Sequence, residues 1–399
     1  MNEIIIEKAK HLNKKVIEIR NYLHENPELS SKEYETSKFL KSKMESLGFI
    51  VEDVPNSTGF TALLDTAKPG KTLGIRTDID ALPIQENKEN LTKTRNVISK
   101  VDGVMHACGH DGHMSIVLAV AEILTEMKEQ LSGKVYFIFE EGEEIGSGID
   151  QMIEHLNDKK IDAIYGNHLA SFLETGTISV DAGPKMAGAA LVNFTVHGRG
   201  GHGSRPDLSI NPVFAAANIL TGITSAWTNQ LDVTKTVTLG VTEIHGGSAM
   251  NVIADTVSVK GSLRFFDTEE GKKAVDVMKN VATHTARAHL CTVEFDEDFI
   301  VKTSPVINDE TLANIAERGI SEILPDSLKH NVPWFASESF HRYREIAPSC
   351  FTFVGIKNEE YGSGAEHHNE KFDLDVDALI YGVISTTKFA VDYLTSNTK

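Results

Sequence analysis

Apolar residues in the first fifty positions recur at three- and four-residue intervals. Between residues 4 and 23 this spacing of Ile, Ala, Leu and Val predicts a helix, and residues 31–47 repeat the pattern. Short apolar runs then alternate with helical stretches. Residues 72–76, 134–139 and 162–166 predict strands, with a helix at 114–127 between the first two. Near-continuous apolar strands separated by helices predict a mostly parallel sheet covered on both faces. Sites in such sheets gather at the carboxyl ends of the strands. Asp78 and Asp80 follow the first of these strands, Glu143-Glu144 the second, and His168 ends the third.

The texture changes near Pro184. Strand patterns at 191–196, 237–244, 257–265 and 291–295 enclose helical patterns at 212–227 and 268–289. This strand-helix-strand-strand-helix-strand order is that of a split, ferredoxin-like unit. The α/β pattern then resumes with a strand at 350–354 and a helix at 375–394. The predicted fold class is therefore α/β: a mostly parallel-sheet domain formed by 1–185 and 300–399, with a ferredoxin-like α+β domain at 186–299 inserted into it. Tandem repeats and low-complexity segments are absent from the sequence.

A length of 399 residues suits two domains, since single cores stop growing near ~250–300 residues. The net charge of −18 and the lack of any basic run argue against a nucleic-acid partner, which needs a clustered positive surface. No stretch approaches the ~18 apolar residues of a membrane span, and the N-terminus carries no secretory pattern. Cys108, Cys291 and Cys350 are scattered and odd in number, which argues against a disulfide framework. A cytoplasmic protein with reduced thiols is expected.

Reduced thiols matter because of one segment. Met105-His106-Ala107-Cys108-Gly109-His110-Asp111-Gly112-His113 packs a thiol, three imidazoles and a carboxylate into nine residues. Metal sites need such mixtures of soft and borderline donors. Cys108 and His110, two apart on an extended or turn backbone, can face one ion. Glu144, His168 and His368 can complete a shell. Five ligands exceed the needs of one tetrahedral ion, so two adjacent divalent metals bridged by Cys108 fit better. In the pair Glu143-Glu144, one carboxylate can ligate while the other moves a proton. Two rival readings remain open: a solvated acidic loop formed with Glu140 and Glu141, and a nucleophilic Cys108–His110 pair. Asp80, at its strand end, joins the catalytic candidates. His106, His113 and His367 are candidates for orienting ligands, whereas His24 and six other histidines read as structural.

At these residues the chain resembles the dimetal aminoacylase and carboxypeptidase family, and within it the amidohydrolase branch of hippurate and auxin-conjugate hydrolases. The matching motifs are Arg76-Thr77-Asp78-Ile79-Asp80-Ala81-Leu82-Pro83, His106-Ala107-Cys108-Gly109-His110-Asp111, Glu143-Glu144, His168 and His368-Asn369-Glu370-Lys371-Phe372. The resemblance implies Cys108, His110, Glu144, His168 and His368 as ligands of two divalent ions, with Glu143 as general base. It also implies that the insert is a lid that dimerises the protein. Within that lid, His202 would polarise the scissile carbonyl, within or across subunits, while Asn251 and Arg264 hold a substrate carboxylate. Arg264 also has a plainer reading, as a strand residue paired to a neighbouring acid. The branch usually carries Gln-Pro-Ala where this chain has Glu140-Glu141-Gly142, and the two glutamates are expected to add negative charge beside the metal loop.

The expected function is hydrolysis of N-acyl amino acids to a carboxylic acid and a free amino acid, with zinc or manganese, or cobalt, as the metal. A dipeptidase using the same site is the nearest alternative, and a non-catalytic metal or acyl-amino-acid binder a more distant one. A homodimer is expected, without nucleic-acid or membrane partners.

Overall fold

The computed structural model describes residues 1–396. The chain divides into two compact units, one of residues 1–183, 307–332 and 342–399, the other of residues 184–306 and 333–341.

The first unit opens with α1 (Asn2–Glu25), which buries Ile5, Ala9, Leu12, Val16 and Leu23 along one stripe; Arg20 and His24 continue that stripe and are buried as well. The second predicted helix begins later than its periodicity suggests, as α2 (Tyr34–Ser46). Ser31 takes a left-handed φ of 62°, and the buried Glu33 carboxylate accepts bonds from Gly142 N and Thr58 Oγ1 instead of capping the helix. Strands β1 (Ile50–Asp53), β2 (Phe60–Asp65) and β3 (Thr72–Asp78) follow. Next come α3 (His110–Glu126), β4 (Lys134–Glu140), α4 (Ile149–Leu156), β5 (Ala163–Glu174) and the short β6 (Ile178–Ser179).

The second unit contains β7 (Gly188–His197), α5 (Pro212–Gln230), β8 (Val237–His245), β9 (Thr256–Phe265), α6 (Thr268–Ala288) and β10 (Thr292–Phe295). Its sheet order β8-β9-β7-β10, antiparallel throughout, is ferredoxin-like, as the element order predicts. Asn211 and Asp267 cap the two helices with side-chain bonds to Val213 N and Glu270 N. Phe194, Ile219, Leu263, Phe265 and Met278 fill the core between helices and sheet. Residues 333–341, expected in the first domain, join this unit because Ala187 N bonds to the carbonyls of Trp334 and Ala336, each at 3.0 Å.

The chain then completes the first unit with α7 (Glu310–Ile323), β11 (Ser349–Lys357) and α8 (Leu379–Thr395). The seven-stranded sheet runs β1-β2-β4-β3-β5-β11-β6. Its central strands β4, β3, β5 and β11 are parallel, while β1, β2 and β6 pair antiparallel at the edges. Among the described residues no helix is long and apolar enough to cross a membrane.

Candidate metal centre

Register sets the site. In the parallel sheet Asp78 lies level with Glu140, and Arg76 with Gly166. His168, two residues beyond Gly166, therefore stands at the edge where β3 and β4 stop. It does not end its own strand: β5 runs on to Glu174 because β11 continues to pair with it up to Lys357. The apolar run that predicts the strand thus marks only its first half.

The helix predicted at residue 114 begins four residues earlier, at His110. Polar His110, Asp111 and His113 hide its first turn from periodicity, yet all three are buried. Gly109 precedes the helix at φ 88°, a left-handed conformation that glycine adopts without a Cβ penalty. The turn there aims Cys108 and His110 at one place. Cys108 Sγ lies 3.5 Å from His168 Nε2. His168 Nδ1 sits 2.8 Å from the Leu169 carbonyl, which only accepts, so Nδ1 holds the proton and Nε2 presents its lone pair.

Glu143 and Glu144 lie in a one-turn helix, Glu143–Ile145, between the left-handed Gly142 and Gly146. Glu144 Oε2 is 3.2 Å from His368 Nε2, and its Oε1 is 3.7 Å from His110 Nε2. His368 itself adopts a left-handed φ of 62°, with its backbone N bonded to the Ala107 carbonyl at 2.9 Å. Four sets of candidate ligand atoms result, each within 4.8 Å of one another: Cys108/His110/His168, Cys108/Glu144/His368, His110/Glu143/Glu144 and Asp78/His110/His113. All five expected ligands and Glu143 are thereby brought together, with Cys108 shared by two sets.

The donor set suits cations. His110 Nε2 and Glu144 Oε1 are buried candidate ligand atoms without a hydrogen-bond partner. Burial opposes a charge on His110, but Asp78, Asp80 and Glu144 outweigh it and push its pKa up to about 10. Carboxylates that hold a proton so firmly also favour a metal ion in its place.

Behind the ligands lies a layer of oriented partners. Asp80, expected among the catalytic groups, has both oxygens engaged: Oδ1 lies 3.1 Å from His110 Nδ1, and Oδ2 accepts from Ser30 Oγ and Glu144 N at 2.7 and 3.1 Å. Asp78 Oδ1 lies 2.8 Å from His113 Nδ1, and His113 Nε2 accepts from Leu169 N at 2.9 Å, so both His113 nitrogens are occupied. Burial works against the Asp78 charge, yet His110, His113 and Arg76 hold its carboxyl well below the usual range. His367 Nε2 accepts from Ser171 N at 3.3 Å. Burial lowers His106 to about 4, and neither of its ring nitrogens has a hydrogen-bond partner.

Of the two glutamates expected to add negative charge, Glu140 faces a buried cation, Arg76, whereas the partners of Glu141 are all neutral. Glu140 Oε2 pairs with Arg76 Nε and Tyr343 Oη, both at 2.7 Å. Glu141 accepts from Ser57 Oγ, Thr58 N and Ser147 Oγ. Arg76, Tyr343, Ser57 and Thr58 lie far away in sequence, whereas Ser147 closes the motif's own turn.

Within the second unit, His202 and Asn251 line one cleft of about 840 Å³, together with His245, Ser248 and Asp255. His202 lies on a two-residue strand paired with Val252–Ile253, and its Nδ1 is 2.7 Å from Ser204 Oγ. Arg264 is not among the residues lining that cleft. It is half-buried on the sheet face opposite Leu263 and Phe265, and Nη1 donates to Ser337 Oγ at 3.1 Å. Among the described residues it has no carboxylate partner, which sets aside the plainer reading of an acid-paired strand residue.

Thiol, imidazole and carboxylate donors converging at the carboxyl edge of a parallel sheet, with a second carboxylate beside them, define a metal-dependent hydrolase. The chain belongs to the peptidase family M20/M25/M40, whose model matches residues 74–391. It is 34% identical to thermostable carboxypeptidase 2 of Saccharolobus solfataricus over 98% of this chain and 99% of that protein. N-acetylcysteine deacetylase of Bacillus subtilis is 34% identical over 94% of each protein. A crystal structure of the Bacillus subtilis YXEP protein, described as a dinuclear metal binding peptidase of the M20 family, matches with a TM-score of 0.82. That match has 31% identity and covers 96% of this chain and 99% of that one. Family membership makes the chain a metal-dependent hydrolase of amide bonds, as its ordered motifs predict.

Proposed function

We propose that the protein hydrolyses the amide bond of N-acyl amino acids, releasing a carboxylic acid and a free amino acid. Cys108, His110, Glu144, His168 and His368 would hold two divalent ions, zinc, manganese or cobalt, with the Cys108 thiolate shared between them. Bound there, such ions polarise the scissile carbonyl and acidify the attacking water. Glu143 takes the proton from that water and returns it to the leaving nitrogen. The observation that carries this reading is the placement of Glu143 within 4.8 Å of ligand atoms of His110 and Glu144. There it sits beside the ligands while Glu144 faces His368.

Arg264, half-buried and without an acid partner, suits a substrate carboxylate, which its fork of donors can engage through both oxygens. His202 suits donation to the developing oxyanion, and Asn251 shares its cleft. That Arg264 does not line this cleft favours an arrangement in which His202 and Asn251 serve the site of a second subunit. The free edge of β8, where Val241 and Ile244 are exposed, supports a homodimer through this unit, because unpaired apolar strand edges are seldom left open. Three buried cysteines without a disulfide among them suit a reducing cytoplasm.

Similarity to a carboxypeptidase supports small peptides as a second substrate class. Amine release from a panel of N-acyl amino acids and dipeptides, with zinc or manganese supplied, separates the two. Cleavage confined to acylated substrates supports the first reading, and cleavage confined to free-amine dipeptides overturns it.

A further inference from the structure

Arg20 and His24 interrupt the apolar stripe of α1 with charge, yet they are 2% and 0% exposed. Arg20 Nε lies 2.9 Å from Asp111 Oδ2, and Nη2 reaches 3.7 Å from Asp373 Oδ1. His24 has a carboxylate at each ring nitrogen: Asp111 Oδ2 at 2.7 Å and Glu86 Oε1 at 2.9 Å. Arg95 closes the ring, with Nη1 3.2 Å from Glu86 and 3.4 Å from Asp373, and Nη2 donating to the Phe372 carbonyl at 2.7 Å. Asn90 Nδ2 adds a bond of 3.0 Å to Asp373 Oδ2. Burial and Arg20, whose Nη2 lies 3.1 Å from His24 Nδ1, oppose a proton on the imidazole, but the bonds to Asp111 and Glu86 raise its pKa; as an imidazolium it makes three buried cations facing three buried anions.

None of these side chains belongs to the ligand cluster. Two of the acids, however, sit on the segments that carry ligands. Asp111 follows His110 in the first turn of α3, and Asp373 closes the segment that begins with His368. That segment needs external support, since His368 holds a left-handed backbone that a side chain with a Cβ adopts only at a strain cost. Its ties include the His368 N bond to Ala107 O, the bonds of Asn87 N and Nδ2 to the Glu370 carbonyl and Oε1, and the grip of Arg95, Asn90 and Arg20 on Phe372 and Asp373.

We propose that Arg20, bridging Asp111 and Asp373 with the help of His24 and Arg95, is a positioning residue. It fixes the spacing between the Cys108–His110 segment and the His368 segment. The inference rests on the ligand reading above. Its consequence is selective: loosening the Asp373 end frees His368 but leaves Cys108, His110 and His168 in place, so the two ions should no longer be held with comparable strength.

The test uses full-length protein stripped of metal and titrated with Co2+, whose absorption reports thiolate coordination. Arg20→Ala risks unfolding the chain, so Arg20→Lys and Asp373→Asn are the working variants. A lysine ammonium is a single point that cannot span both acids. The expected result is a folded protein, by circular dichroism, that binds its first Co2+ with unchanged affinity and thiolate band. The second should bind about 10- to 100-fold more weakly, the range typical for loss of an outer partner. Excess Co2+ should then restore turnover. Binding of both ions as in the unaltered protein overturns the proposal, and so does equal weakening of both. If the unaltered protein takes up fewer than two Co2+ or shows no thiolate band, the ligand reading itself fails.

Discussion

Asp80 and His110 are joined twice: His110 Nδ1 lies 2.9 Å from the Asp80 carbonyl and 3.1 Å from its Oδ1. One ring nitrogen is thus committed, and the other is turned toward Glu144. The remaining Asp80 oxygen holds the backbone N of Glu144, so a single carboxylate orients two candidate ligands. Asp80→Ala is expected to weaken metal binding about 10- to 100-fold, as loss of such partners generally does. Chelator competition measures this, and unchanged affinity would remove Asp80 from that role.

Metal uptake should release protons. His110 is pushed up to about 10 by Asp78, Asp80 and Glu144 against the opposing effect of burial, so it holds a proton at neutral pH that a metal must displace. The Cys108 thiol must lose its proton as well. Zn2+ titrated into metal-free protein at pH 7.5, by calorimetry in two buffers of different ionisation enthalpy, should release more than one proton per chain. Release of none would contradict this field around His110.

Glu33 supplies a pH dependence of stability. Burial raises its carboxyl to about 7, above an ordinary value of 4.5, although Thr58 hydrogen-bonds to it. A raised carboxyl keeps its proton longer in the folded state than in the unfolded one, so stability falls as pH climbs from about 4.5 to about 7. At about 1.4 kcal/mol per pKa unit, the loss is about 3 kcal/mol. Glu33→Gln removes this titration and keeps an acceptor for Gly142 N. Urea unfolding at pH 5 and pH 8 should show a smaller drop in the variant, and equal drops would refute the assignment.

Arg264→Ala should raise KM for substrates with a free carboxylate about 10- to 100-fold and leave kcat nearly unchanged, since hydrogen bonds to charged groups contribute about 1.5–3 kcal/mol. An esterified substrate should show little change. Equal losses on acid and ester would assign Arg264 to the fold instead.

The ligand cluster was legible in the sequence because thiol, imidazole and carboxylate rarely crowd together without chemistry to perform. The inserted unit was legible because its apolar periods alternate cleanly between two and 3.6. What escaped was non-local. The start of α3 is disguised by buried polar residues that find partners on other elements, as His113 does with Asp78. The pairing of Glu140 with Arg76 spans 64 positions, so the cation facing that carboxylate could not be read from the residues beside the motif. His24 read as an ordinary structural histidine. The available signal was its position, with Arg20, on the stripe continued from Ile5, Ala9, Leu12 and Val16. Charged residues that keep an apolar register announce a buried network.

The central claim is that Glu143 moves the proton while its neighbours hold the metals. The most direct measurement is Glu143→Gln, assayed for bound metal and for amine release from an N-acyl amino acid. The account predicts two ions per chain, as in the unaltered protein, with turnover reduced about 10²- to 10⁴-fold, the usual contribution of a general base. Near-normal turnover with both ions in place would contradict it.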